Sequence, residues 1–405
     1  MNGNNAVNAD LNVVPLSMRK HIAFVGEVNA GKSALFNAVV GQNLSIVSDV
    51  KGTTTDPVIK AAELLPYGAV AYIDTAGVND QTELGFMRAE KTEKVLLKAD
   101  LFVVVITASE FDILHYAAMV KRYENHILAV TKCDLAAEAV IGDIKSAFND
   151  AIFVNINDSA SIEKLKAKIA EKLNSENEEE RTMLGGLLPR GSRVVMVVPI
   201  DSEAPKGRLI LPQAQLIREC LDSEIIVTAV GLSQLADVLD NIDLVVTDSQ
   251  IFKEAAIIVP KSIKITSFSM LVANRHVDIN LFIDGLRAVD ELTDASRILI
   301  AESCAHNTSH EDIGRVKIPG LLNKFTNKKL DFTFVSGNDF LFDVSQYSLV
   351  VHCGGCMANR RSILSRLDIC KASGVQITNY GVLLAFINGI LPRAAEIFNG
   401  VISNE

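Results

Sequence analysis

Five residues in two short clusters have the types and spacing to hold a soft metal. Cys304-Ala305-His306 follows the apolar run Arg297 to Ala301, and His352-Cys353-Gly354-Gly355-Cys356 follows the run Tyr347 to Val351. Both clusters are therefore expected where strands end, and in an open parallel sheet that edge is where ligands bind. Three thiols and two imidazoles make a soft-ligand site, and three thiolates with a variable fourth position suit an iron–sulfur cluster at least as well as zinc. The Gly354-Gly355 pair lets backbone N–H groups approach metal-bound sulfur, and the helix expected after Cys356 points its positive end at the site. Scattered core cysteines explain the spacing less well, because buried structural thiols have no reason to arrive with histidines at Cys-x-His and His-Cys-x-x-Cys intervals. Cys133, Cys220 and Cys370 lack such company and read as packing residues.

A second chemistry stands near the start of the chain. The short apolar run His21 to Val25 leads into Gly26-Glu27-Val28-Asn29-Ala30-Gly31-Lys32-Ser33 and then the helical stretch Ala34 to Val40. Strand, glycine loop and helix is the context that gives this spacing meaning. Backbone N–H groups of the loop, from Gly26 through Asn29, Ala30 and Gly31 to Ser33 and Ala34, can wrap a β-phosphate. Lys32 neutralises β/γ charge, and the Ser33 hydroxyl ligates Mg²⁺.

Three further pieces follow in the order of a Ras-like GTPase, and their roles are what that resemblance implies. Gly52-Thr53-Thr54-Thr55-Asp56 resembles the first switch, with Thr54 reaching Mg²⁺ and the γ-phosphate. Asp74-Thr75-Ala76-Gly77 follows the strand Val70 to Ile73; Asp74 would hold Mg²⁺ through water and the Gly77 amide would sense the γ-phosphate. Thr131-Lys132-Cys133-Asp134 resembles the guanine-reading motif, in which Asp134 accepts two hydrogen bonds that adenine cannot offer. Thr131 stands where asparagine is usual, so a contact near the guanine edge is expected to be weaker. The last nucleotide motif aligns with Asn155-Ile156-Asn157. Val78 occupies the place of the usual water-orienting glutamine. Asn29 and the Thr-Thr-Thr-Asp switch are similar to the Era and tRNA-modification GTPases, where this asparagine helps bind K⁺. The expected catalytic set is thus Lys32, Asn29, Thr54, Asp74 and Gly77.

Cys-x-His and His-Cys-x-x-Cys at one end, with a complete GTP-binding domain at the other, resemble the [FeFe]-hydrogenase maturation GTPases, the HydF family. The resemblance covers nearly the whole chain. It implies a GTP-hydrolysing scaffold that binds GTP/GDP, Mg²⁺, K⁺ and a [4Fe-4S] cluster. Such a scaffold assembles a diiron unit with radical-SAM maturation enzymes and delivers it to apo-[FeFe]-hydrogenase. The five motif residues Cys304, His306, His352, Cys353 and Cys356 carry over as metal-site candidates. The thiolates are expected to be the anchors, with the fourth iron held by His306, His352, Glu302 or solvent. Two other classes fit parts of the chain: a GTPase of RNA modification or ribosome assembly, and a GTPase with a structural zinc domain.

The 405 residues suggest two or three domains. A balance of 39 basic against 49 acidic residues, net −10, disfavours a broad phosphate-backbone footprint and so argues against nucleic acid as the main partner. The opening residues lack the charged start and apolar core of a signal peptide, no run approaches a membrane span, and six cysteines without a disulfide framework fit a reducing cytoplasm. Alternating β-branched runs and helical stretches predict an α/β protein of three domains, each built on a largely parallel sheet with crossover helices. The expected layout is a flexible tail over 1–20, the Ras-like GTPase domain over 21–174, an acidic linker over 175–192, a domain over 193–273 and the cluster domain over 274–405. In the family the fourth of these segments is the dimerisation domain, so a homodimer is expected.

Overall fold

The computed structural model describes residues 14–41, 49–50, 58–75, 92–109, 111–175, 181–200, 209–303, 312–337 and 339–400. Thr54, Gly77, Val78, Cys304 and His306, singled out above, lie outside them. The chain divides into two compact units, one over Asn12–Glu178 and one over Glu179–Glu405.

The first unit is built on seven strands: β1 (Lys20–Gly26), β2 (Asp49–Val50), β3 (Val58–Leu64), β4 (Gly68–Asp74), β5 (Leu101–Thr107), β6 (His126–Thr131) and β7 (Ile152–Phe153). Their order is β2-β3-β4-β1-β5-β6-β7. β3 pairs antiparallel with β2 and β4, and every other pairing is parallel. The sequence dictates this. β5 and β6 read Leu-Phe-Val-Val-Val-Ile-Thr and His-Ile-Leu-Ala-Val-Thr, near-continuous apolar runs that must be covered on both faces. Alternate residues of β1 supply both covers: Ile22 and Phe24 pack with Leu35 and Val39 on one face, Ala23 and Val25 with Ile73 and Tyr116 on the other. The parallel strands β1, β4 and β6 therefore deliver Gly26, Asp74 and Thr131 to a single edge.

The second unit holds two four-stranded sheets, parallel throughout. One contains β8 (Arg193–Val197), β9 (Ile226–Val230), β10 (Leu244–Thr247) and β11 (Lys264–Ser267), in the order β11-β10-β8-β9. The other contains β12 (Arg297–Glu302), β13 (Asp331–Ser336), β14 (Leu349–His352) and β15 (Gln376–Asn379), in the order β13-β12-β14-β15. Counted within each sheet, the order is the same: second, first, third, fourth. The sequences match as well. Leu244-Val245-Val246-Thr247 parallels Leu349-Val350-Val351-His352, and Lys264-Ile265-Thr266-Ser267 parallels Gln376-Ile377-Thr378-Asn379. In each sheet the last strand ends on a residue that caps the next helix, Ser267 before Phe268–His276 and Asn379 before Tyr380–Ile387. Those helices cross closely: a Cβ on Gly381 would lie 2.9 Å from Ser269 Cβ.

The two sheets share one hydrophobic core, with Val195, Val245, Leu271, Ile300, Val350 and Leu384 all inside it. The position 273/274, where the sequence suggested a boundary, falls within the helix Phe268–His276. No described helix is long and apolar enough to cross a membrane.

Candidate functional site

Two sites follow from this frame, one on each unit. In the first, β1 ends at Gly26, whose φ of 149° and whose neighbour Val105 leave no room for a side chain; a Cβ there would stand 2.2 Å from the Val105 carbonyl oxygen. Asn29 and Gly31 turn the loop back through left-handed backbone, at φ 64° and 89°, and Gly31 caps the helix Lys32–Val40. The loop's N–H groups are thus gathered at a helix N-terminus, the place for an anion. Asn29, Ser33 and Ala34 are exposed there, and Ala30 is buried beneath.

Lys32 and Asp74 form the charged floor. Lys32 is buried, its ammonium donates to the Glu27 carbonyl, and burial lowers its pKa against the pull of Asp74 and Glu27. Burial raises the Asp74 carboxyl, opposed by a hydrogen bond from the Ser33 hydroxyl and by Lys32. One oxygen, Asp74 Oδ1, is buried with no hydrogen-bond partner. A hydroxyl beside a carboxylate with a spare buried oxygen is a donor set that fits Mg²⁺, which takes oxygen ligands. The Thr75 hydroxyl anchors this end of β4 to the Phe24 carbonyl, 2.6 Å away.

Thr131 faces the loop instead of the exposed edge. It is buried, and its hydroxyl donates to the carbonyls of Ala30 at 2.7 Å and Ile106 at 3.1 Å. The residue thus braces the phosphate loop against β5 and β6. In Thr131→Val both carbonyls lose this hydroxyl donor, and a buried carbonyl left unsatisfied costs about 1–3 kcal/mol. Chemical unfolding of the nucleotide-free protein should record that loss; an unchanged midpoint would show that the brace carries no weight. Lys132 takes left-handed backbone, φ 54°, and starts the turn Cys133–Leu135 on which Asp134 is exposed. Asn155 and Asn157 occupy the loop after β7, where the Asn155 side chain accepts from the Asn157 N–H.

The second site lies at the ends of β12 and β14. Of the five metal candidates, His352, Cys353 and Cys356 are described, and no group of three metal-binding side chains converges among the described residues. Cys353 Sγ accepts from the Ser303 N–H at 3.1 Å and donates to Ser303 Oγ at 3.3 Å. The Cys356 thiol is pushed up to about 12 by burial and by the neighbouring Cys353, opposed by Arg275 and by the N–H groups of Cys356 and Met357. Two free thiols that sense each other, each met by backbone N–H groups, are a donor set that fits thiolate-bound metal. Gly355, at φ 79°, makes the turn between them.

His352, by its spacing either a ligand or a residue that orients its neighbour, has fixed partners. It is the last residue of β14, paired in register with Ala301 and Asn379. Its ring is buried with both nitrogens engaged: Nδ1 lies 2.6 Å from the Cys353 carbonyl, and Nε2 lies 2.6 Å from Arg366 Nη1. Arginine only donates, so Nε2 accepts and Nδ1–H donates. Burial and Arg366 lower the ring's pKa to about 3, which keeps it neutral. Asn379 Nδ2 donates to the same Cys353 carbonyl at 3.2 Å. Glu302, the carboxylate considered as a fourth ligand, ends β12, is buried, and pairs with Arg315 at 3.3 Å.

Arg366, Asn379 and Ser303 escaped the sequence reading. Arg366 sits in Arg360–Ala372, a helix of mixed polar character whose sequence resembles a solvated surface. An asparagine before an apolar helix, as at Asn379, is the kind of cap signal that could have found that residue.

A glycine loop on a parallel sheet, with Lys32, Ser33 and Asp74 assembled around the phosphate position, makes this a P-loop GTPase by fold and site. Residues 21–132 match the 50S ribosome-binding GTPase family, residues 183–276 the hydrogen maturase F dimerization domain and residues 280–397 the hydrogen maturase F tetramerization domain. With these three modules in succession, the chain belongs to the hydrogen maturase F (HydF) family.

The chain is 41% identical over 92 residues to GTPase Der of Nautilia profundicola, 22% of this chain and 20% of that one. To the tRNA modification GTPase MnmE of Aquifex aeolicus it is 30% identical over 163 residues, 39% of this chain and 35% of that one. It thus spans a minor part of the length of the curated relatives it matches. Among solved structures, the G domain of the T. maritima FeoB iron transporter aligns at 22% identity, covering 38% of this chain and 99% of that one, with a TM-score of 0.30. A variant of Aquifex aeolicus Era bound to GDP.AlF4- aligns at 19% identity, covering 52% of this chain and 93% of that one, with a TM-score of 0.31.

Proposed function

We propose that the chain is a GTP-hydrolysing scaffold of hydrogenase maturation. It would hold a [4Fe-4S] cluster, assemble a diiron unit with radical-SAM partners and pass that unit to apo-[FeFe]-hydrogenase. One observation carries the reading: Cys353 and Cys356, unpaired and supplied with backbone donors, stand at a parallel sheet edge in a chain that also has a phosphate loop. Cys304, Cys353 and Cys356 would be the anchors. His306, Glu302 or solvent would complete the fourth iron, with His352 orienting its neighbours. When bound, the cluster supplies an iron with an exchangeable position. Anaerobic reconstitution with iron and sulfide, followed by metal analysis and an absorption spectrum, tests this. A colourless protein with stoichiometric zinc would overturn it.

Hydrolysis in this reading is regulatory: its product is a change of conformation or partner, not a metabolite. Ser33 and Thr54 would hold Mg²⁺ directly and Asp74 through water, while Asp134 selects guanine. Val78 cannot orient water, and Asn29, exposed on the loop, offers a ligand for K⁺. Hydrolysis should therefore be slow and faster in K⁺ than in Na⁺. Equal rates in the two salts would remove K⁺ from the mechanism.

The middle segment would make a homodimer. β9 is an edge strand of its sheet, and Ile226 on it is 49% exposed. An apolar edge without a charged guard is a template for pairing. Ile226→Lys should halve the mass seen by light scattering at micromolar concentration. A monomeric wild type would refute the interface.

A further inference from the structure

We propose that Arg366 is the fixed counter-charge of the cysteine site, holding the His352 ring in place and making a bound cluster easier to reduce. This rests on the iron–sulfur reading of Cys353 and Cys356 given above. Arg366 is 4% exposed. Its Nη1 donates to His352 Nε2 and its Nη2 to the Gly337 carbonyl, each at 2.6 Å, while the guanidinium lies 5.1 Å from the centre of the Phe340 ring. Among the described residues no carboxylate pairs with it.

A buried guanidinium without an anion is costly, and an apolar side chain of similar volume would commonly be as good or better for folding. Something other than packing therefore explains a cation here. Burial lowers the pKa of the guanidinium, and the groups whose negative charge would favour the cation are Cys353 and Cys370. Cys370 is buried and its thiol is pushed up to about 12, so it stays protonated. That leaves Cys353, which becomes a thiolate when it binds metal. Among the described residues, Arg366 is thus matched by charge only when the cysteine site is loaded.

One-electron reduction adds a negative charge to a thiolate-bound cluster. A fixed cation behind Cys353, in an interior of low dielectric, stabilises the reduced form more than the oxidised one. No bond need form or break, and an external one-electron reductant supplies the electron. The contact with His352 Nε2 adds a positioning role: it keeps that ring from turning, and the ring in turn holds the Cys353 carbonyl.

The test uses the full chain, reconstituted anaerobically and titrated with dithionite while the reduced cluster is followed by electron paramagnetic resonance. Arg366→Met removes the charge and fills the space; Arg366→Lys keeps the charge. In the Met variant the reduction equilibrium constant should fall about tenfold, equivalent to about 59 mV for one electron. In the Lys variant it should stay within about threefold of wild type, a small part of that shift. Loss of the cluster in Met with retention in Lys would equally support a charge requirement. A wild-type potential in the Met variant, or Met and Lys variants that behave alike, would overturn the proposal. A wild-type chain that takes up zinc and no iron would instead overturn the iron–sulfur reading beneath it.

Discussion

Lys32→Ala should hydrolyse GTP at least about 10²- to 10³-fold more slowly than wild type, the range seen when one preorganised charge or donor is taken from a transition state. The lysine is placed for that role by three features described above. It opens the helix after the glycine loop, it is buried, and it senses both Asp74 and Glu27. Burial works against its charge, and the two carboxylates work for it, so the ammonium is poised where phosphate charge develops and water is scarce. The same variant should keep its iron–sulfur absorption unchanged. Cys353 and Cys356 belong to the other compact unit. Single-turnover hydrolysis and an absorption spectrum on one preparation decide both halves. A folded Lys32→Ala protein that lacks the chromophore would show that nucleotide binding builds the second site.

The second large effect falls on metal content. Cys353→Ser and Cys356→Ser should each bring iron down to background after reconstitution, because a hydroxyl replaces a soft anionic ligand by one that iron–sulfur clusters hold poorly. His352→Ala should keep the iron. Its ring is already spent on the Cys353 carbonyl and on Arg366, so its removal loosens the thiolate's support without deleting a ligand. Changes in the spectrum of the reduced cluster are expected there, as befits a residue behind the metal. If His352→Ala lost iron as fully as the cysteine variants, the imidazole would have to leave Arg366 and bind metal directly.

Much of this was legible in the residues. The phosphate loop declares itself through glycines that the backbone needs, and β1 and β6 through apolar runs too short for helices and too continuous for a half-exposed sheet. The α/β architecture with parallel sheets follows from the same alternation. Among the strands that the sequence does not announce are β11 and β15, because Lys264–Ser267 and Gln376–Asn379 end in polar residues that look like loop. Their burial comes from neighbours distant in sequence: the Thr378 hydroxyl donates to the Phe282 carbonyl, and Asn379 reaches Cys353. His352 was read as lying past its strand for a related reason. A histidine beside cysteines suggests a ligand, and only the pairing of β14 with β15 shows that it belongs to the ladder. Thr131 likewise reads as a weakened guanine contact until its hydroxyl is seen beneath Ala30.

The repeated strand order of the second unit means that the chain contains a copy of the cysteine-bearing frame that lacks the cysteines. Where one third strand runs into His352-Cys353-Gly354-Gly355-Cys356, the other runs into Thr247-Asp248-Ser249-Gln250-Ile251, at the same point of the same topology. The frame that presents the thiols is therefore able to fold without them. The metal chemistry proposed for this scaffold amounts to a few side chains at one strand end.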